Sequence, residues 1–198
     1  TAVRTPAVSA LGVDLLADGE ARELIVFGTG PQALQHVHAI AAIRQISRVG
    51  LVGRDLARTR AAVERLRRDG YRVHVAHADD TAGAPIIACC TASADPLFDG
   101  SVVDERAVVV AMGSHTPDAR EVDDALLARA RVYVEDPETA LREAGEIVQG
   151  TASGILSAER LRPLRELVCA PGPQDAPDAP GPALFKTVGM GWQDLVTA

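Results

Sequence analysis

The sequence has no excess of basic residues, and this excludes one large class of functions. Its 198 residues contain 20 Lys and Arg against 27 Asp and Glu, which gives a formal net charge of −7 at pH 7. Proteins that bind along nucleic acid or on an anionic membrane carry a basic patch that neutralises phosphates. We therefore expect a small-molecule substrate, and neither a nucleic-acid nor a membrane partner.

Long apolar runs, a secretory signal and a cysteine framework are also lacking. No stretch approaches the ~18 apolar residues of a membrane-spanning helix, and no basic region precedes a hydrophobic signal core. Of the three cysteines, Cys89 and Cys90 are sequence neighbours, which disfavours a disulfide between them. His36 and His38 lie on different faces of a predicted helix, and no metal site is predicted. We expect a cytoplasmic protein.

What the sequence does contain is an alternation of apolar runs with amphipathic segments. Ala33, Val37 and Ile40 recur at helical spacing, and Leu56, Ala57, Thr59, Val63 and Leu66 are predicted to face inward from a second helix. Runs compatible with strands lie at 23–28, 48–53, 71–76, 85–90, 107–112 and 131–135. This order predicts an α/β fold, a doubly wound parallel sheet with helices on both faces.

A glycine-rich turn follows the first predicted strand. Gly28, Gly30 and Ala33 form G-x-G-x-x-A between a strand and a helix, and Pro31 stands at the first helical position, where its missing N–H costs nothing. Such a turn lets the backbone approach a pyrophosphate, and the N–H groups at the helix start attract the anion. The turn is predicted to bind a dinucleotide, and a purely structural turn is the alternative.

The end of the second predicted strand indicates which dinucleotide is bound. An acidic residue here bonds the ribose 2′-hydroxyl of NAD, whereas an arginine accommodates the 2′-phosphate of NADP. Arg54 follows Gly53, and Asp55 is the predicted N-cap of the next helix. NADP is favoured; in the alternative, Arg54 is a solvated loop charge and Asp55 binds the ribose of NAD. Cys90 and Thr91, which end the fourth strand, are predicted to contact the cofactor through their backbone.

Four segments along the chain match motifs of one known family. RTPAVSAL at 4–11 is similar to R-T-A-A-x-S-A-L, and FGTGPQALQH at 27–36 to G-x-G-x-Q-A-x-x-H. AMGSHTPDARE at 111–121 is similar to G-A-D-x-P-x-x-x-E, and LFKTVGMGWQDLVTA at 184–198 to F-K-S-V-G-x-x-x-Q-D-L-x-x-A. The chain thus resembles the ornithine cyclodeaminase and mu-crystallin family, which includes alanine dehydrogenases and ketimine reductases. Within these segments, Pro31, Gln32, Met112 and Thr187 are further predicted cofactor contacts.

The resemblance implies a second domain. Family members are larger, and the region ahead of their R-T segment forms most of a domain that supplies substrate-binding basic residues and a dimer interface. Because this sequence begins with Thr1 at that segment, we expect a cofactor domain without most of the substrate domain, and a homodimer at full length. The predicted parts are a crossing helix at 1–20, a Rossmann NAD(P)-binding domain at 21–168, a Pro-rich loop at 169–183 and a return segment at 184–198.

Arg4 and His115 are the candidates for handling the substrate. Arg4 resembles the family arginine that clamps the substrate's α-carboxylate, which a planar guanidinium can hold with two parallel bonds; by itself the residue would read as a solvated arginine near a helix start. His115 stands where cyclodeaminases carry a catalytic Asp. An imidazole cannot supply the negative charge that ammonia elimination needs, but it can protonate an imine nitrogen. The alternative is a loop histidine that faces solvent.

These residues predict an NADPH-dependent reductase of cyclic imine (ketimine) carboxylates, such as Δ1-pyrroline-2-carboxylate or Δ1-piperideine-2-carboxylate. An ornithine cyclodeaminase is one alternative, which His115 disfavours. An alanine-type dehydrogenase would share every motif. A non-catalytic NADPH-dependent binder of small ligands, similar to mu-crystallin, would need the same glycine turn without a proton donor, so turnover rather than binding separates it from an enzyme.

Overall fold

The computed structural model describes residues 3–169 and 180–193. The strands are β1 Glu23–Phe27, β2 Arg48–Val52, β3 Val73–Val75, β4 Ile86–Cys89, β5 Val108–Ala111, β6 Arg131–Val134, β7 Leu161–Pro163 and β8 Ala183–Lys186. The helices are α1 Arg4–Leu16, α2 Pro31–Ile43, α3 Leu56–Arg68, α4 Asp124–Arg129, α5 Pro137–Glu143, α6 Gly145–Ala152 and α7 Leu164–Cys169. Short 3-10 turns lie at Ala78–Thr81, Gly100–Val102 and Ala158–Arg160.

The strands form one eight-stranded sheet in the order β3-β2-β1-β4-β5-β8-β6-β7, and all of its pairings are parallel. The six predicted strands are confirmed, each to within about two residues. The sequence patterns missed β7, which has three residues and contains a proline, and β8, whose four residues are too few to show a period.

The predicted Pro-rich loop at 169–183 lies mainly outside the described residues, in the gap at 170–179. β8 follows this gap and pairs with β5 and β6. The sheet therefore contains residues 184–186, the first three of the predicted return segment.

Helices cover both faces of the sheet, which confirms the predicted fold class. The apolar sides of α1, α2 and α3 pack on one face, and α4, α5 and α6 pack on the other. Leu56 and Ala57 are exposed, so their predicted inward orientation is wrong. They form the first turn of α3, beyond the end of β2, where no strand remains for them to cover. Among the described residues, no helix is long and apolar enough to cross a membrane.

The strand order places a crevice at one edge of the sheet. From β1 the chain continues to β2 and β3 on one side, whereas after β3 it crosses to β4 on the other side of β1. Since all strands are parallel, their carboxyl ends share one edge, and from there the chain leads from β1 to β2 on one side and from β4 to β5 on the other. Ligands of open α/β sheets bind outside the strand ends at this kind of switch point.

Candidate functional site

A cleft of about 410 Å³ opens at the switch point between β1 and β4. We call it the switch-point cleft. Segments that follow β1, β2 and β4 form its wall: Phe27, Gly28, Thr29, Gly30, Val52, Gly53, Arg54, Asp55, Arg58, Cys90, Thr91, Ala92, Ser93 and Leu97. The cleft therefore brings together three segments that were predicted to bind a dinucleotide. They are the glycine turn, the tip of the second strand and the end of the fourth strand.

The glycine turn is held tightly against β4. Gly28 has a φ of +117°, and a Cβ atom at this position would lie 2.5 Å from the carbonyl oxygen of Cys90. Both the positive φ and the close approach require glycine. Gly30 is the N-cap of α2, Pro31 follows it at the start of the helix, and no side chain of residues 3–169 or 180–193 caps this end. Because the first N–H groups of a helix lack intrahelical acceptors, the turn offers donors to an anion.

Asp55 is occupied by the helix that follows it. Its Oδ1 accepts a hydrogen bond from the backbone N–H of Arg58 at 3.0 Å, which confirms the predicted N-cap of α3. The same bond lowers the pKa of Asp55, with the charge of Arg58 adding to the effect. Arg54 is exposed and lines the cleft together with Arg58. The segment that follows β2 thus places Arg54 and Arg58 at the cleft, while the carboxylate of Asp55 caps α3.

The remaining predicted cofactor contacts lie at the same edge of the sheet. Gln32 belongs to the first turn of α2, beside the glycine turn. The N–H of Met112 donates to Cys89 and the N–H of Thr187 donates to Ala111, so both residues directly follow central strands, beyond the residues that line the cleft. Burial raises the pKa of the Cys90 thiol well above its ordinary value, with Glu121 adding to the effect. Cys90 is therefore a wall of the cleft and not a nucleophile.

Arg4 lies in a second cavity. Its buried guanidinium donates from Nη1 to Oε1 of Gln193 at 2.7 Å, and Nε2 of Gln193 donates to Oε1 of Glu135 at 2.8 Å. Oε2 of Glu135 accepts from the N–H groups of Val188 at 2.9 Å and Gly189 at 2.7 Å. This cavity, the Arg4 groove, has a volume of about 460 Å³ and is otherwise lined by Ala7, Val8, Leu11, Leu164, Arg165, Val168, Cys169 and Trp192. The structure thus holds Arg4 in a defined orientation, apart from the switch-point cleft.

His115 is exposed on the segment that follows β5. Its Nδ1 lies 2.9 Å from the carbonyl oxygen of Gly113. A carbonyl can only accept, so Nδ1 carries a hydrogen and Nε2 is the ring nitrogen that this bond leaves to exchange a proton. In the described part of the chain, no group of three or more His, Cys, Asp and Glu side chains is arranged to hold a metal ion.

The sequence patterns did not indicate a cluster of charged groups beneath the same sheet edge. Glu121, Glu146 and Lys186 are all buried, and Lys186 is the only lysine in the sequence. We call these three residues the buried ionic cluster. Glu121 accepts the backbone N–H of Thr91 at 2.8 Å and its hydroxyl at 2.7 Å on Oε1, and the N–H of Gly113 at 2.7 Å on Oε2.

The second carboxylate of the cluster supports the first. Oε1 of Glu146 accepts the backbone N–H of Glu121 at 2.9 Å, and Oε2 accepts the hydroxyl of Ser114. Nζ of Lys186 lies 3.6 Å from Oε2 of Glu146. Burial raises the pKa of Glu121, against the opposing effects of Lys186 and the hydrogen bonds from Thr91 and Gly113. The sequence did contain one signal, because Glu121 matches the Glu that ends the third motif and Lys186 matches the Lys of the fourth motif.

His36 is a second buried group without a predicted role. Its Nδ1 lies 2.7 Å from the carbonyl oxygen of Gln32, and its Nε2 lies 2.9 Å from the hydroxyl of Ser9. The histidine therefore joins α2 to α1, the helix that carries Arg4. Burial lowers the pKa of His36, and the bond to Gln32 opposes this shift.

Comparisons with known proteins agree with this geometry. The Δ1-pyrroline-2-carboxylate reductases of Colwellia psychrerythraea and Paracoccus denitrificans are 32% and 33% identical to this chain over 98% and 100% of its length. The matches cover 63% and 64% of those proteins, so the chain spans less than two thirds of the length of these relatives. The iminosuccinate reductase of Paracoccus denitrificans, solved with NAD+, superposes with a TM-score of 0.87 and 28% identity over 100% of this chain and 61% of its own.

The family itself is settled by a match along the whole sequence. Residues 1–198 match the model of the ornithine cyclodeaminase/mu-crystallin family, and the four motifs quoted above are spread over the same span. The TM-score of 0.87 shows that the solved relative shares the fold of this chain. The chain belongs to the ornithine cyclodeaminase/mu-crystallin family.

Proposed function

We propose that the whole protein is an NAD(P)H-dependent reductase of cyclic imine carboxylates, such as Δ1-pyrroline-2-carboxylate or Δ1-piperideine-2-carboxylate. The observation that carries the proposal is the switch-point cleft, in which a glycine turn, an uncapped helix start and Arg54 come together. The named activities of the two reductases similar to this chain support the substrate class. The bound dinucleotide supplies the hydride for the C=N carbon.

The residues of the cleft fit NADPH. The turn at Gly28 and Gly30 and the start of α2 would hold the pyrophosphate, and Arg54 would pair with the 2′-phosphate. The preference for NADP rests on Arg54 and Arg58 at the cleft, where Asp55 also lies with its Oδ1 atom engaged as a helix cap. NAD remains the alternative cofactor. Pro31, Gln32, Cys90, Thr91, Met112 and Thr187 would complete the cofactor contacts.

Arg4 and His115 would handle the substrate. Gln193 accepts a hydrogen bond from Arg4 and is itself held by Glu135, and the guanidinium oriented in this way would bind the carboxylate of an imine substrate. His115 would carry a proton on Nε2 and donate it to the imine nitrogen. A hydride added to carbon and a proton added to nitrogen together convert C=N into CH–NH, which balances the reduction.

The arrangement of the whole protein is part of the proposal. We propose that α1 and the segment beyond β8 are the two connections between the cofactor domain and a substrate domain, with the Arg4 groove on the side that faces it. The exposed apolar side chains of Leu11, Val168 and Trp192 in this groove support a covered surface. The whole protein would be a cytoplasmic homodimer.

The test is turnover by the whole protein. NADPH should be oxidised in the presence of either cyclic imine carboxylate, and ornithine should release no ammonia. His115→Ala should lower kcat by roughly 100-fold with little change in NADPH affinity, while exposed His77→Ala, the matched control, should keep kcat.

Each contrary result has a distinct meaning. Ammonia release from ornithine would support a cyclodeaminase, and reduction of pyruvate with ammonia but of neither cyclic imine would support an alanine-type dehydrogenase. NADPH binding with no turnover on any of these compounds would support a non-catalytic binder. If His115→Ala keeps full kcat, water protonates the imine and only the role of His115 is lost.

A further inference from the structure

The Glu121 carboxylate joins two segments that the proposed site depends on. Thr91 follows β4 and lines the switch-point cleft, whereas Gly113 follows β5 and precedes His115. Glu121 accepts three hydrogen bonds from these two residues, at 2.7 to 2.8 Å. Its pair of oxygens therefore sets the spacing between the cleft and the start of the His115 segment.

The two residues that precede His115 are both tied to carboxylates. Gly113 is bonded to Glu121, and Ser114 is bonded to Glu146. Glu146 also accepts the N–H of Glu121, so the second carboxylate fixes the first. A Cβ atom at Gly113 would overlap the carbonyl oxygen of Thr91, which shows how closely the two segments are packed. His115 is thus an exposed residue on a segment anchored from below.

The bonding pattern needs a carboxylate and not an amide. All partners of Glu121 at Thr91 and Gly113 donate hydrogen, including two backbone N–H groups that can do nothing else. A glutamine at this position would place an NH2 group against one of them and lose that bond. Buried N–H groups without acceptors are costly, so the segment would shift to find other partners.

We propose that Glu121, held by Glu146, is a positioning residue that sets His115 relative to the cofactor cleft. The role rests on the proposed function for its effect on turnover, but the anchoring can be measured without any turnover. Glu121 is buried beneath the strand ends, so it acts through Thr91 and Gly113 and not by contact with substrate.

The experiment compares three variants. Glu121→Gln keeps size and removes an acceptor. Exposed Glu105→Gln makes the same chemical change away from the site. Leu66→Ala, buried near the far end of α3, lowers stability without touching the anchored segment. Amide hydrogen exchange, NADPH affinity, and kcat and KM for the imine are all measured on the whole protein.

The expected result is a local change with a catalytic consequence. Glu121→Gln should speed exchange in residues 112–121 by about 10-fold more than in β6 and lower kcat by about 10-fold to 100-fold, with a smaller change in KM. Glu105→Gln and Leu66→Ala should keep kcat. Glu121→Asp retains the charge with a shorter reach and should fall between the parent and Glu121→Gln.

Two outcomes overturn the proposal. One is exchange in 112–121 that rises no more than in the Leu66→Ala variant, which would make Glu121 a general stabiliser. The other is a local rise in exchange with kcat unchanged. If the parent reduces no imine, the proposed function fails, and the anchoring is then judged by hydrogen exchange alone, under the first of these two criteria. If Glu121→Gln does not fold, Ser114→Ala, which removes only the bond to Glu146, replaces it under the same criteria.

Discussion

Replacing Lys186 with methionine is expected to destabilise the chain more than replacing Lys186 and Glu146 together. The Lys186 ammonium and the Glu146 carboxylate are fully buried and 3.6 Å apart. Nζ has no hydrogen-bond partner among the described residues, so this ion pair is its main compensation there. Methionine keeps the approximate length of the side chain but carries no charge. The buried carboxylates of Glu121 and Glu146 then lack the positive charge of Lys186.

The structure allows the size of the effect to be worked out. At 3.6 Å, two unit charges attract by about 4 to 5 kcal/mol at an effective dielectric constant of about 20. Removal of one partner of a buried pair costs about 3 to 5 kcal/mol in measured cases. For a chain of this size, that loss corresponds to a fall in Tm of roughly 6 to 20 °C.

The double variant should recover much of this loss. In Lys186→Met/Glu146→Gln, the amide oxygen can still accept the N–H of Glu121 and the NH2 can still donate to Ser114. The neutral pair avoids two desolvated charges. Recovery should be incomplete, because Lys186 also lowers the pKa of Glu121 and so stabilises a second carboxylate.

The measurement is a double-mutant cycle by urea unfolding. It compares the parent, both single variants, the double variant and an exposed control, Arg60→Met. The coupling free energy should be about 2 kcal/mol or more, and the control should stay within about 0.5 kcal/mol of the parent. Single-variant losses that add to within about 0.5 kcal/mol would show that the two residues do not act as a pair.

Three further predictions concern the cleft and the helix that borders it. Arg54→Asp should weaken NADPH by about 10-fold or more and reverse the preference over NADH in calorimetry, whereas exposed Arg60→Asp should not; equal affinities of the parent for both cofactors would remove the argument from Arg54. Gly28→Ala should cost about 1 to 3 kcal/mol because of its φ of +117°, whereas Gly30→Ala, with a φ of −82°, should keep stability and weaken only NADPH; equal losses of stability would contradict the geometry. Burial lowers the pKa of His36 below its ordinary value of 6.5, so the unfolded chain takes up this proton at a higher pH than the folded chain. The contribution of neutral His36 to the free energy of unfolding is therefore complete above pH 6.5 and is lost as the pH falls towards the folded pKa, by up to about 1.4 kcal/mol per pH unit. His36→Gln should flatten this dependence of stability on pH, and exposed His77→Gln should not.

The sequence was informative where local rules decide the structure. The glycine turn, Pro31 and the N-cap at Asp55 each depend on residues a few positions apart, and the alternation of strands and helices depends on apolar period. The sequence alone therefore predicts all of these features. The sequence also predicts that the glycine turn and the tip of β2 lie at one edge of the sheet, because parallel strands bring their carboxyl ends together whatever the details of packing.

The buried ionic cluster and β8 could not be predicted in the same way. Glu121, Glu146 and Lys186 come from distant parts of the chain, and a lone acidic residue in a polar loop normally reads as solvated. β8 has only four residues, and it becomes a strand because β5 and β6 supply hydrogen-bond partners on both sides. Leu56 and Ala57 show the opposite error, since a correct helical period does not reveal where the sheet beneath it ends.

The two parts of the proposed site are held by different forces, and this difference predicts how each tolerates change. The dinucleotide turn is formed by backbone geometry, through the positive φ of Gly28 and the N–H groups that begin α2. The His115 segment is instead held by the carboxylates of Glu121 and Glu146 in a buried setting, where one lost bond leaves a charge or an N–H unsatisfied. Substitutions that disturb Glu121 or Glu146 should therefore lower turnover more than NADPH affinity. A residue at position 115 can also be exchanged without disturbing either anchor, because its side chain is exposed and bonds only to the carbonyl oxygen of Gly113 among the described residues. Under the proposed role of His115, the reacting group can change while the cofactor cleft stays the same, which is what a family containing both cyclodeaminases and reductases requires.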